Sequence, residues 1–351
     1  MKSQVNLRIE ELDCSADTEL AAQWEELLKS SKYTGFMQSL SWAAFKRACG
    51  QKIIHLGIKR ENELIGGTLI TTAVDGKRPT VLVSPYGPVI PWDDSELAAE
   101  CLRLLIERTR ACAAELNAVS WRIEPRLPVP APRILMEFAG APLNMVPVET
   151  LIVDLRADDN TILERMKPKC RYNIRLAQRH GVLIKELEGE DSVNVLYAAL
   201  DEASHRDDFF LESKEFFQNL VKSLHSGKAL HVLAAEHEGE CLGALVLVIE
   251  GKRSTYLYGG ISNRKRQLMA GYLLQWESMK LARQLGCESY DFYGYDQFQS
   301  PGNAYARFSR FKSGFGGEVI RYIGAQDYVF MEKLVDNVIM FFKDAERSNS
   351  S

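Results

Sequence analysis

Residues 67–83 (GTLITTAVDGKRPTVLV) have a counterpart in residues 243–258 (GALVLVIEGKRSTYLY). Each stretch turns on Gly-Lys-Arg, beginning at Gly76 and at Gly251, and is rich in β-branched residues on both sides of the turn. That is the composition of a β-hairpin. A short strand pattern and a polar turn precede each copy, at residues 55–63 (HLGIKRENE) and 231–239 (HVLAAEHEG). Each copy therefore reads as a three-stranded antiparallel meander. The elements after the meander match too. An amphipathic helix pattern over residues 95–116 leads into a strand at 119–124 (VSWRIE), and another over 268–285 leads into 289–293 (SYDFY). A period of about 175 residues is too long for a solenoid and fits a duplicated α/β domain.

The length of 351 residues agrees with two domains. Apolar residues make up 46% and charged residues 26%, enough to bury a core and to exclude a disordered tail. Net charge is −4, so a nucleic-acid partner must be met by a local basic patch. Cys14, Cys49, Cys101, Cys112, Cys170, Cys241 and Cys287 are scattered, without a CxxC pair. This excludes a disulfide framework and a zinc finger, and fits a reducing cytoplasm. The six His offer no metal-ligand spacing, so no metal is expected. The first residues lack the apolar stretch of a signal peptide. The longest apolar run, residues 242–249, falls far short of the ~20 needed to cross a bilayer.

Residues 127–132 (LPVPAP) read as a stiff linker or loop. The second copy begins near Val153. The division expected is 1–152 plus about 325–351 for the first domain and 153–324 for the second. Residues 328–347 carry Val329, Phe330, Leu334, Val338, Phe341 and Phe342 at near-helical spacing. They read as a terminal amphipathic helix that needs a docking surface, for which the first half is the candidate. The final Ser-Asn-Ser-Ser reads as frayed.

Three constellations carry chemistry. In residues 165–181 (RMKPKCRYNIRLAQRHG), Pro168 suits a helix start and Gly181 its stop. Arg171, Arg175 and Arg179, spaced by four, form a stripe with Lys167 and Lys169 at its head. Like charges at that spacing cost helix stability, and an anionic partner such as phosphate offsets the cost. The alternative is a solvated face beside the acidic run 186–191. In residues 307–317 (RFSRFKSGFGG), glycines permit close backbone approach, and Lys312 suits an oxyanion formed in acyl transfer. An aromatic-anchored turn with a surface lysine is the competing reading. Glu124 stands at the end of a predicted central strand, where it could take a proton or orient an amine, or be a plain surface carboxylate.

Other matches fail. His205-Arg-Asp lacks the rest of the kinase set, GxSxG is absent, and so is the P-loop order.

Taken in order, the motifs resemble the FemABX aminoacyltransferases. Residues 36–46 (FMQSLSWAAFK) resemble that family's Gln-Ser-x-x-Trp-x-x-Phe-Lys motif, and 169–182 (KCRYNIRLAQRHGV) its basic helix. The segments 256–263 (YLYGGISN), 272–277 (YLLQWE), 290–294 (YDFYG), 310–319 (RFKSGFGGEV) and 322–324 (YIG) come next, in the family's order. No sustained heptads interrupt the second domain, which resembles the short type without a coiled-coil arm.

The resemblance implies two tandem domains of the acetyltransferase (GNAT) type, α/β with mixed sheets flanked by helices. A C-terminal helix returning to domain 1 is implied as well. It implies transfer of an amino acid from aminoacyl-tRNA to an amine of a peptidoglycan precursor, which begins an interpeptide bridge. The tRNA is a co-substrate and no cofactor is implied. By position, Lys46 matches the lysine that binds the nucleotide-linked precursor. Glu124 matches a strand-end aspartate, Tyr258 a precursor-binding tyrosine, and Phe311 with Lys312 the acyl-transfer pair. Trp42 and Tyr256 share motifs with Lys46 and Tyr258 and join the substrate-binding set. Two positions depart: Glu212 stands for a precursor-gripping arginine and Phe216 for a nearby tyrosine, with Arg206 close enough in sequence to substitute. A carboxylate there would repel a phosphate, so the acceptor is open between UDP-linked and lipid-linked precursors.

The expected mechanism is direct aminolysis of the tRNA ester. Proximity supplies much of the rate, Lys312 steadies the oxyanion, Glu124 orients or deprotonates the amine, and Lys169, Arg171, Arg175 and Arg179 track tRNA or precursor phosphates. The rivals are a CoA-dependent N-acyltransferase, aminoacyl transfer to a non-cell-wall peptide, and a non-catalytic binding module. Against the first, residues 266–271 (RQLMAG) lack the middle glycine of a pyrophosphate loop. A monomer is expected, with at most transient contact with a membrane surface.

Overall fold

The computed structural model describes residues 6–14, 18–73, 80–225, 229–300, 302–303 and 305–330. The chain forms two compact units, residues 1–146 with 322–351, and residues 147–321.

The first unit runs β1 (Leu7–Glu11), α1 (Thr18–Ser30), α2 (Leu40–Ala48), β2 (Ile53–Arg60), β3 (Glu63–Ala73), β4 (Thr80–Pro85), α3 (Ser95–Leu116), β5 (Ala118–Glu124) and β6 (Ala139–Gly140). The second runs β7 (Glu149–Asp154), α4 (Asp159–Arg165), α5 (Pro168–Arg179), β8 (Leu183–Leu187), α6 (Gly189–Asp207), α7 (Lys214–His225), β9 (Leu230–His237), β10 (Glu240–Glu250), β11 (Arg253–Ile261), α8 (Ala270–Gln284), β12 (Ser289–Gly294), α9 (Ala306–Lys312) and β13 (Glu318–Arg321). A last strand, β14 (Gln326–Val329), returns to the first unit.

The duplication is visible strand for strand. One sheet has the order β1-β2-β3-β4-β5-β14-β6 and the other β8-β9-β10-β11-β12-β7-β13. Both meanders form where the hairpin composition placed them, and the strands after α3 and α8 pair in parallel with β4 and β11. The first Gly-Lys-Arg turn, at residues 76–78, lies outside the described residues. Gly67 and Gly243 open the matching stretches with φ of +158° and +159°. A Cβ on Gly67 would stand 2.2 Å from the Leu56 carbonyl oxygen, and one on Gly243 would stand 2.7 Å from that of Gly260. The same close strand approach thus requires the same residue twice. Helix α3 starts at Asp94, whose side chain accepts the Leu97 N–H, and stops at Asn117 in a left-handed conformation. It buries Cys101, Leu102 and Leu105 against Leu56, Leu82 and Trp121 of the first core. In the second unit α8 covers its sheet with Leu273, Leu274 and Trp276.

One seat in each sheet is filled out of sequence. Beside β12 sits β7, from the start of the second unit; the matching seat beside β5 is filled by β14, from after its end. Residues 147–152 therefore belong with the second unit. The expected terminal helix over 328–347 is corrected at its start: Tyr328 and Val329 are in β14, and Phe330 is 1% exposed in the first core. Leu334, Val338, Phe341 and Phe342 lie outside the described residues. Residues 127–132 are a loop of the first unit, with Leu127 buried and Pro128 bridged to Tyr322.

The two sheets differ in one respect that makes a site. β4 stays paired with β5 from Thr80 to Pro85. β11 pairs with β12 only over Arg253–Thr255 and Ser289–Asp291, after which the two strands part. Tyr293 at the parting has φ of +62°, and the register of β12 on β7 slips between Asp291 and Gly294.

Candidate active site

Lys312 fills the gap between β11 and β12. It ends α9, is 6% exposed, and its Nζ donates to the carbonyls of Phe292 at 2.9 Å and Gly294 at 2.6 Å. The Tyr295 N–H donates to the Glu149 carbonyl on the β7 side, so the Gly294 carbonyl on the same planar peptide points the other way, into the gap. An ammonium has three N–H donors, which leaves one beyond the two carbonyls. Burial pulls the Lys312 pKa down to about 7, opposed in part by the Asp291 charge. Asp291 is itself buried and accepts from the Thr150 hydroxyl and the Tyr293 N–H.

Aromatic rings wall this gap. The Lys312 Nζ lies 5.6 Å from the centroid of Tyr256 and 6.0 Å from that of Tyr305. Burial raises the Tyr256 hydroxyl to about 12. Gly294 makes room for Tyr305, since a Cβ there would stand 2.0 Å from its ring. Tyr258 meets Phe216 at 6.4 Å and Phe217 at 5.2 Å between centroids. Burial, then the charges of Glu212 and Tyr305, raise its hydroxyl pKa. The second unit therefore brings together Lys312, Tyr256, Tyr258, Phe216 and Glu212. Phe311 faces elsewhere, packing on Tyr272 at 4.9 Å and Phe315 at 5.3 Å in the core. Arg206 is engaged by the Ile261 carbonyl and by Asp207, at 2.6 Å. Tyr305, Asp291 and Thr150 were not singled out in the sequence. The aromatic density of residues 290–308 was the signal for Tyr305; nothing local marks Thr150, 141 residues from Asp291.

The basic helix α5 adjoins the segment just after Lys312. Lys167 donates through its backbone N–H to Gly314 at 2.9 Å and through Nζ to the Ser313 hydroxyl at 3.1 Å. The buried face of α5 is Cys170, Asn173, Ile174 and Ala177. Arg171 caps α4 by donating to the carbonyls of Glu164 and Met166 at 3.0 and 2.6 Å. Lys169, Arg175 and Arg179 are exposed. A cleft of about 430 Å³ lined by Asn160, Leu163, Glu164, Arg171 and Arg175 runs beside it.

The remaining candidates stand in the first unit. Gln38 is fully buried, donating to Leu69 and Pro85 carbonyls at 3.1 and 2.8 Å and accepting the Leu69 N–H at 2.8 Å. Ser39 caps α2 through the Trp42 N–H. Gln38 and Ser39, the first two residues of the motif, thus aim α2. Trp42 is 4% exposed, and its Nε1 has no hydrogen-bond partner among the described residues. The Lys46 Nζ lies 5.3 Å from its ring centroid and 5.1 Å from that of Phe45. Glu124 ends β5 at 2% exposure, its two carboxylate oxygens accepting the backbone N–H groups of Met145 and Val146, both at 2.8 Å. Burial pushes its pKa up to about 7 against those hydrogen bonds. Beside it, Arg122 grips Asp327 of β14 through two 2.7 Å bonds. No cluster of metal-ligating side chains occurs among the described residues.

Two family descriptions match, each over part of the chain. The FemAB family matches residues 21–131, and the acetyltransferase (GNAT) domain matches residues 165–312. The first of these stretches thus resembles the FemAB family and the second the GNAT acetyltransferases. The chain is 20% identical to the lipid II:glycine glycyltransferase of Staphylococcus aureus (strain MRSA252) over 88% of its own length and 91% of the relative's. The crystal structure of FemX superposes with a TM-score of 0.82 at 18% identity, covering 94% of this chain and 99% of that one. A tandem GNAT protein from the clavulanic acid biosynthesis pathway superposes at 0.56 with 12% identity, covering 92% and 98%. These likenesses show the tandem GNAT fold of the chain. No helix among its described residues is long and apolar enough to cross a membrane.

Proposed function

We propose that the chain is an aminoacyltransferase that joins an amino acid, delivered as its tRNA ester, to an amine on the stem peptide of a peptidoglycan precursor. The likeness to lipid II:glycine glycyltransferases over nearly the whole chain supports amino-acid transfer to such a precursor. The observation that carries the chemistry is Lys312, a buried ammonium with two donors fixed on backbone carbonyls and a third unspent.

The tRNA ester is already activated, so no protein nucleophile is required. The amine nitrogen attacks the ester carbonyl carbon, and the carbonyl oxygen becomes an oxyanion. The third Lys312 proton steadies that oxygen in a site shielded from water. Collapse breaks the carbon–oxygen bond to the ribose. The proton shed by the attacking nitrogen passes to the departing ribose oxygen, a transfer that a lysine with a pKa near 7 can mediate. Glu124 acts on the first unit, where its carboxylate fixes residues 145–146 and retains lone pairs for an amine. Trp42 and Lys46 bind the precursor. Glu212 beside Tyr258 disfavours a phosphate at that point, so the portion of the acceptor met there is its uncharged or cationic peptide.

The test is a transfer assay with tRNA charged with labelled amino acids, UDP-MurNAc-pentapeptide or lipid II as acceptor, and an RNase-treated control. RNase-sensitive label on the stem peptide is the expected result. Label transferred from acyl-CoA, or none from tRNA to either acceptor, overturns the proposal.

A further inference from the structure

The outward face of α5 carries a residue that no assigned role uses. Helical geometry sets Tyr172, Arg175 and Arg179 along one ridge, opposite the buried Cys170, Asn173, Ile174 and Ala177. Tyr172 is 57% exposed and takes no part in the core. The Arg179 guanidinium lies 5.9 Å from its ring centroid. Several other cations of the second unit meet carboxylates: Lys185 meets Glu236, Arg283 meets Asp159, Lys252 meets Glu288, and Arg264 meets Glu240. Lys169 and Arg175 are exposed with no such partner among the described residues, and Arg179 meets only the Tyr172 ring there. A chain of net charge −4 thus leaves uncompensated cations on one ridge, interleaved with an exposed aromatic.

We propose that this ridge binds single-stranded RNA, with Tyr172 stacking on an unpaired base while Arg175, Arg179 and Lys169 hold the flanking phosphates. The inference rests on the proposed tRNA co-substrate and adds to it the residue that grips the unpaired end. Stacking platforms set among cations are the standard solution for unpaired nucleotides, because every base has a π-face and every linkage a charge. Arginine beside the ring adds a second plane on which a base can stack. The strand has a direction as well. The head of α5 is bonded to Ser313 and Gly314, next to Lys312, and the helix carries the ridge about 18 Å away from that point. Glu164 lines the cleft on the other flank of Arg175, which places the phosphates on the Tyr172 side.

The experiment is fluorescence anisotropy of the full chain with two labelled RNA hairpins, one ending in four unpaired 3′ nucleotides and one blunt, across a salt series. Wild type is expected to prefer the unpaired end. Tyr172→Ala should weaken that binding about 5- to 150-fold, the loss of one stacked base, while Tyr172→Phe retains it. Arg175→Ala should lower the slope of log affinity against log salt by about 0.7, one phosphate contact on a single strand. If Tyr172→Ala binds the unpaired end as wild type does, the stacking role is overturned, whatever the transfer assay shows. If transfer from charged tRNA proceeds in that variant at wild-type rate and affinity, this inference falls alone and the proposed function stands. Binding to anionic phospholipid vesicles with none to either RNA overturns both.

Discussion

The Lys312 ammonium donates to the Gly294 carbonyl across 2.6 Å, at the point where β12 has left its partner strand. A parted pair of strands leaves backbone carbonyls unsatisfied, which costs about as much as a lost hydrogen bond. Lys312 satisfies two of them, and in doing so places a charge in a space narrow enough to depress its own pKa. Structural repair and the proposed chemistry are thus the same contact. Lys312→Ala should lower kcat about 10²- to 10³-fold, as loss of one oxyanion donor does elsewhere, with little change in the KM for either substrate. Steady-state kinetics on the folded variant, its fold checked by circular dichroism, decide this.

The pH dependence of that step comes from the same burial. If protonated Lys312 is the donor, kcat should fall as pH rises through about 7, where the group loses its proton. In Lys312→Arg the guanidinium stays charged, so whatever activity remains should lack that alkaline limb. A limb that persists in the arginine variant would assign the titration to another group.

Gly294 is expected to be intolerant on steric grounds. Gly294→Ala drives a Cβ into the Tyr305 ring, which must leave the wall of the site. Activity should fall at least tenfold, and the double variant Gly294→Ala with Tyr305→Ala should recover thermal stability relative to the single one. Comparing the two melting temperatures tests whether that clash is the cause.

Glu124 offers a linkage test. Its folded pKa, about 7, lies above the ordinary 4.5, so folding favours the protonated form. The stability it contributes is fully present below about 4.5 and lost as pH rises to about 7, a swing on the order of 3 kcal/mol. Glu124→Gln, which cannot ionise, should therefore show a flatter stability profile between pH 4.5 and 7 than wild type. Urea denaturation at a series of pH values measures it, and parallel profiles would mean that Glu124 does not titrate in this range.

The sequence made the duplicated meander, helix and strand legible because hairpin composition and helical period are local signals. The length of strand pairing is not local. Nothing in residues 253–261 says that β11 leaves β12 after Thr255, and so nothing marked the gap that Lys312 enters. The motif around Lys312 was legible through resemblance, and its partners Phe292 and Gly294 contribute backbone, which carries no residue code. Helical spacing alone put Arg171 in the stripe, although its guanidinium is spent on the end of α4. The C-terminal segment shows the same limit. Val329 and Phe330 satisfy a helical period and an alternating one equally well over so few residues, and the empty seat beside β5 decides between them.

That seat yields the last prediction. Asp327 reaches it from the C-terminal end of the chain and meets Arg122 in a fork of two 2.7 Å bonds, with side-chain exposures of 12% and 10%. Breaking a buried pair by removing one partner leaves an uncompensated charge, which costs about 3–5 kcal/mol. Asp327→Ala should therefore lower the stability of the first unit by that order. Arg122→Met with Asp327→Leu removes both charges and should restore much of it, because no ion is then left buried. If the pair only decorated the sheet, Asp327→Ala would cost less than about 1 kcal/mol, the range of a surface ion pair. If it holds the returning strand, Asp327→Ala should also speed amide exchange at Tyr328 and Val329, whose register on Trp121 and Ser120 depends on β14 staying in place. Hydrogen exchange at those two residues separates a lost contact from a lost strand.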